Sequence, residues 1–276
     1  MRLHLIAAGR WVRAAAAGWL LLCLPFPLRA DASRPGATPA RSPSPCEYQS
    51  VTDRMSSIAT DGEIALAEGG AARLAGIRFP DDGPFRQQAV AWLASFVGEQ
   101  VSVLGSDRRD RWGRRLVRVQ SGVPTGSVDL GRGLVESGLA IVDPQRVDRS
   151  CADDFLASEA GARQRSLGVW ADAGYKPIGT HQADRLKDRI GTFVIVEGRV
   201  RNVGERAQWT YLNFGGRWAE DFTVIIPKRI WKRMTDRGGD AAAFRGRPVR
   251  VRGILEAWQG ASVTVEIPEM IEFLPR

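Results

Sequence analysis

Apolar and polar positions alternate in short runs through most of residues 51–77, and the runs break at Asp61-Gly62 and Gly69-Gly70, as in strands joined by hairpins. From Pro84 the period changes: Val90, Leu93, Ala94 and Val97 recur at helical spacing, and Gly98 supplies a stop. Two further strands are predicted over 101–104 and 116–119, with a charged turn over 105–114 between them. A short helix over 130–137, a strand at 140–142 and a helix over 153–167 complete this half, the last with Phe155, Leu156, Ala160 and Leu167 on one face. Short strands with one helix among them and one at the end fit a five-stranded barrel of the OB type.

Residues 171–179 hold two glycines and a proline and carry no period, so a boundary is expected near 175. Beyond it, alternation returns over 192–200, 209–214 and 221–226. A brief helix over 227–234 opens on a proline, and strands are predicted over 248–255, 262–267 and 270–273. The order of strands, helix, then strands again suits a barrel with one connecting helix. The expected class is mainly β with α (α+β): two small OB-type barrels in tandem, over 48–171 and 181–276, joined by a linker at 172–180. The first barrel carries two to three helices.

The N-terminus changes the picture of where the chain works. Arg2, Arg10 and Arg13 precede an apolar run over 14–28, and Ala30-Asp31-Ala32 gives a small-x-small cleavage pattern. This is the layout of a secretory signal over 1–32, and the run is short for a membrane span and broken by Pro25 and Pro27. Residues 33–47 read as a disordered Pro/Ser/Ala-rich tether. The chain is therefore expected to be exported, periplasmic or extracellular, with no stable membrane span after signal removal. An uncleaved anchor is the alternative. Setting aside the four arginines and one aspartate of residues 1–32 lowers the formal charge from +8 to +5, enough to attract polyanions without choosing among them.

Two cysteines then remain, Cys46 and Cys151, and an even pair in an oxidising compartment predicts a disulfide. Closing a loop of that length contributes roughly 4–5 kcal/mol in the chain-entropy picture. Only His181 remains, so a His–Cys zinc cluster is excluded, and a Ser-His-Asp triad would need a histidine from a linker-like segment. Hydrolysis, if present, must rest on carboxylates, arginines and a hard metal.

Several segments taken together resemble the staphylococcal-nuclease-like (thermonuclease) family over about residues 50–171. Thr60-Asp61-Gly62-Glu63-Ile64 resembles its Asp-Gly-Asp turn, and Arg73-Leu-Ala-Gly-Ile77 its arginine-bearing strand. Pro80 stands at the turn proline, Asp110-Arg-Trp-Gly-Arg114 resembles the Asp-x-Tyr-Gly-Arg segment, and 159–170 resembles the closing helix. The resemblance implies a barrel that cleaves phosphodiesters with calcium, two arginines on the phosphate and a carboxylate base. It places Arg73 and Arg114 on the phosphate and Asp81 at the base position. The metal ligands are replaced: Arg78 stands where an aspartate should bind, followed by Phe79, and the second ligand falls on Glu63 or Gly62. Arg78 disfavours Ca2+ at this position and becomes a candidate phosphate contact itself.

Arg111 and Trp112, in the basic turn, suit a polyanion with stackable bases. The second half resembles small OB-fold nucleic-acid-binding domains appended to nuclease-like modules. Its candidate contacts are Trp209, Tyr211, Asn213, Arg217 and Trp218, while Trp231 is read as core. The leading expectation is a protein that binds DNA, RNA or another polyanion with weak or no hydrolysis. An active Ca2+-dependent phosphodiesterase and an envelope protein-binding scaffold are the alternatives. The sequence does not fix the oligomeric state.

Overall fold

The computed structural model describes residues 50–122, 127–146, 149–216, 221–236, 241–258 and 260–275. The export segment, the tether, Cys46 with its expected bridge to Cys151, Arg217 and Trp218 lie outside the described residues. The described residues fall in one compact unit, and no helix among them is long and apolar enough to cross a membrane.

Strands β1 (Ser50–Ile58), β2 (Ile64–Leu66) and β3 (Gly70–Leu74) form an antiparallel meander. The two-residue strand β4 (Ile77–Arg78) leads into helix α1 (Pro84–Ala94). Strands β5 (Gln100–Arg109) and β6 (Arg115–Ser121) then form a hairpin. Since β1 pairs with β5 and β3 lies parallel to β6, the ring β1-β2-β3-β6-β5 closes. Period-2 alternation explains what fills it: Ile64 and Leu66, Ala72 and Leu74, Val101 and Val103, Val117 and Val119 are all buried in one cluster. Each such buried aliphatic side chain contributes roughly 1.5–3 kcal/mol.

After β7 (Val128–Asp129), the Asp129 carboxylate caps helix α2 (Leu130–Glu136) by accepting the Arg132 N–H at 2.9 Å. Strand β8 (Ile141–Val142) pairs with β4, and helix α3 (Arg149–Gln164) follows. This helix starts before and ends earlier than the 153–167 expected. Ser166 adopts a left-handed φ of 53°, with Leu167 N–H donating to Ala162 O and Ser166 N–H to Arg163 O, both at 3.0 Å. That pair of bonds is a Schellman stop, made without the usual glycine.

The stretch read as linker contains short elements of its own, β9 (Ile178–Gly179) and helix α4 (Ala183–Lys187). Strand β10 (Phe193–Arg199) bends at Val200-Arg201 into β11 (Asn202–Glu205), a strand the alternation did not mark. β11 pairs with β12 (Trp209–Asn213), and β12 with β13 (Thr223–Pro227). Helices α5 (Lys228–Thr235) and α6 (Ala241–Phe244) come next, with Ile230, Trp231 and Met234 of α5 buried. Strand β14 (Pro248–Ile254) pairs with β10 and runs on into β15 (Glu256–Ala257). β15 pairs with β16 (Ala261–Thr264), which lies parallel to β13. The pairings thus close a second ring, with β9 and β17 (Ile271–Phe273) added beside it.

The junction between the rings is polar and fully buried. Arg252 of β14 is 0% exposed, and its guanidinium donates to both carboxylate oxygens of Glu159 on α3, at 3.1 and 2.8 Å. It donates also to Val142 O at 3.1 Å and to Glu272 at 2.5 Å. Glu159, equally buried, accepts the Val142 N–H at 2.9 Å and Arg163 at 3.0 Å. Burial pushes the Glu272 carboxyl up, but the charge and hydrogen bond of Arg252 outweigh it and hold the group below its ordinary range.

Candidate functional site

The register of the barrel's closing pair decides where the arginines meet. Ala72 and Leu74 turn inward, so Arg73 between them faces out, and the parallel ladder sets it opposite Leu116, two residues from Arg114. Arg73 pairs with Asp61 from the β1–β2 turn. Burial pushes the Asp61 carboxyl up, yet the Glu63 N–H at 3.1 Å and the Arg73 charge and hydrogen bond hold it below the usual range.

Arg114 is fixed by its own turn. Asp110 Oδ2 accepts Nε and Nη2 of Arg114 at 2.9 and 2.8 Å, while Oδ1 accepts the Trp112 and Arg114 N–H groups at 2.9 and 3.0 Å. The bidentate Arg114 hydrogen bond holds the Asp110 carboxyl down at about 2. Arg114 also lies 3.6 Å from Glu63. Gly113 closes the turn at a φ of 80°, and Trp112 stands 62% exposed with the guanidiniums of Arg111 and Arg114 at 3.9 and 4.6 Å from its ring. A groove of about 440 Å³ here is lined by five arginines (Arg73, Arg109, Arg114, Arg115 and Arg146) and one acid, Asp110.

Arg78 and Asp81 line a different depression, of about 410 Å³, which meets the first at Arg73. Arg78 donates to Asp143 at 2.8 Å, an aspartate 0% exposed that also pairs with Arg146 at 3.0 Å. The Arg78 guanidinium lies over the Phe193 ring at 4.6 Å. Asp81 is exposed, and its N–H donates to the Tyr175 hydroxyl at 3.1 Å. Burial, followed by the nearby Asp81 charge, raises the Tyr175 hydroxyl above its ordinary pKa. Phe79 packs its ring over the β1–β2 turn: a Cβ on Gly62, whose φ is 83°, would meet that ring at 2.6 Å.

The structure therefore gathers Arg73, Arg111, Trp112 and Arg114, brings Glu63 to Arg114, and sets Asp81 and Arg78 on the far side of Arg73. The second-barrel candidates lie elsewhere. Trp209 is 37% exposed on β12. Tyr211 stacks on Trp258, with ring centroids 5.8 Å apart and planes 9° apart, beside Asn202, Arg206 and Asn213. Sequence reading missed Trp258, though its hairpin is marked by Gly260 at a φ of 96°. It also missed Asp143, which lies 65 residues from its partner Arg78 and shares no local pattern with it.

Comparison with known proteins agrees with the first barrel. A curated relative, the Probable endonuclease LCL3 of Scheffersomyces stipitis, is 28% identical over 109 residues, 36% of this chain. The match spans 46% of that protein, about half its length. Residues 71–172 match the family described as Staphylococcal nuclease homologue, and this part of the chain is a domain of that family.

Proposed function

We propose that the chain is an exported protein that binds nucleic acid or a similar polyanion on its first barrel, with little or no metal-dependent hydrolysis. The observation that carries this reading is the groove in which five arginines face one aspartate beside an exposed tryptophan. Guanidinium groups fixed by carboxylates and carbonyls present their remaining N–H donors to phosphate, and an exposed indole offers a stacking face. The second ring repeats the strand order of the first, with a helix between its third and fourth strands. That supports reading it as an OB-type nucleic-acid-binding domain.

The calcium ion implied by the family resemblance does not fit these residues. Among the described residues no three carboxylate, histidine or cysteine groups converge where they could hold a metal. Asp61 and Glu63 face Arg73 and Arg114, Arg78 stands at a ligand position, and the Phe79 ring covers Gly62 in the same turn. A cation there would meet guanidiniums rather than free carboxylate oxygens.

The second reading, an active phosphodiesterase, draws on the retained Arg73 and Arg114 and on a relative named as a probable endonuclease. Incubation with single-stranded DNA and RNA, in calcium and in chelator, separates the two. Binding that weakens steeply with salt, without cleavage, is expected. Cleavage that needs calcium and disappears in Arg73→Ala and Arg114→Ala overturns the proposal.

A further inference from the structure

The depression beyond Arg73 has two walls of different origin. Arg73, Arg78, Asp81 and Arg86 come from the nuclease-homologue domain, whereas Lys176, Arg189 and Phe193 come from beyond it. The cations from the first side are already engaged. Arg73 pairs with Asp61, Arg78 with Asp143, and Arg86 with Asp82 at 2.5 Å and with Pro80 O at 2.8 Å. The cations from the second side pair with no carboxylate among the described residues. Arg189 is steadied only by neutral groups, the Thr192 hydroxyl at 3.1 Å and Gly174 O at 3.4 Å, and Lys176 is exposed with no polar partner among the described residues.

We propose that Lys176 and Arg189 form a phosphate clamp, so that a single-stranded nucleic acid runs from the Trp112 groove across Arg73 into the cleft between the barrels. The inference rests on the polyanion-binding reading and deepens it by naming the strand class and the second barrel's part in the site. Three features favour a single strand. The cleft, at about 410 Å³, is a confined space and not an open basic face. Its walls include the partly buried rings of Tyr175 and Phe193, against which an unpaired base can pack. Arg73 lines both depressions, so the basic track is continuous between them. The unpaired Asp81 carboxylate marks the side of the cleft from which phosphate is repelled.

The test uses the full chain and oligothymidylates of four and twelve nucleotides, with fluorescence anisotropy read at several salt concentrations. In Lys176→Ala/Arg189→Ala, binding of the twelve-mer is expected to weaken by about tenfold or more and its log–log salt slope to fall by about 1.4, two phosphate contacts at about 0.7 each. The four-mer, short enough for the first groove alone, is expected to keep its affinity within about twofold, and Arg189→Lys to keep most of the twelve-mer affinity. Lys176→Ala alone touches an exposed side chain and should lower the slope by about 0.7 without altering the fold. Unchanged twelve-mer binding in these variants, while Arg114→Ala weakens both oligomers, sinks the clamp and leaves the binding reading standing. A wild-type chain that binds neither oligomer removes both.

Discussion

In the first barrel, the strand that closes the ring through its parallel pairing is β3, buried at Ala72 and Leu74 and open at Arg73. In the second, the corresponding strand is β13, and Thr223, Val224, Ile225 and Ile226 are all buried. The connectivity around both strands is the same, yet only one of them leaves an outward position where a guanidinium can meet solvent and ligand. The cationic groove belongs to the pattern of exposed side chains, not to the barrel. The second barrel contributes differently, through Phe193 and Arg189 at the junction and an aromatic pair, Tyr211 and Trp258, on its outer face.

The largest way to break this comparison is to cut the tie between the rings. Arg252→Met leaves the Glu159 and Glu272 carboxylates buried without their shared partner and is expected to cost about 3–5 kcal/mol, read from denaturant midpoints. A loss under about 1 kcal/mol would mean that the barrels do not depend on this cluster. The two exposed indoles sharpen the contrast between the faces. Trp112→Ala is expected to weaken single-strand binding by about 1–3 kcal/mol, and Trp258→Ala, whose ring already rests on Tyr211, by less than about 1 kcal/mol. Anisotropy titrations rank them, and the reverse order would move the main contact to the second barrel.

The smallest effect is a proton. Asp110 has its carboxyl lowered from 3.8 to about 2 by Arg114, so its contribution is complete above 3.8 and is lost only as pH falls through about 2. A carboxyl carbon titration by NMR should place the Asp110 midpoint near 2, and a midpoint near 3.8 would show an unclamped Arg114.

Much of this was legible before any coordinates. Alternation found most of the strands of both rings, and the helical period found α1 and α5, because those patterns report which side of an element faces its own core. Arg73 and Arg114 were legible from spacing, since one lies in a strand and the other in a turn four residues from its clamp, Asp110. Arg252 was not. In Pro248-Val-Arg-Val-Arg-Gly253 it alternates as an outward residue, and it is outward from its own barrel, but α3 of the other barrel covers that face. Glu159 escaped for the same reason. The partner of Arg78 is a buried aspartate beyond β8, and a contact of that range leaves no periodic trace.

Arg252 also bears on how separable the parts are. The nuclease-homologue segment ends at residue 172, and a fragment cut there would keep Glu159 but lose the guanidinium that fills both of its oxygens. The carboxylate would retain Arg163 and the Val142 N–H, and the face of α3 that shuts out water would become a surface. A stretch recognisable by its sequence as a domain is thus not, in this chain, a module that can be lifted out intact. Its last helix is finished by an arginine carried some ninety residues further along the chain.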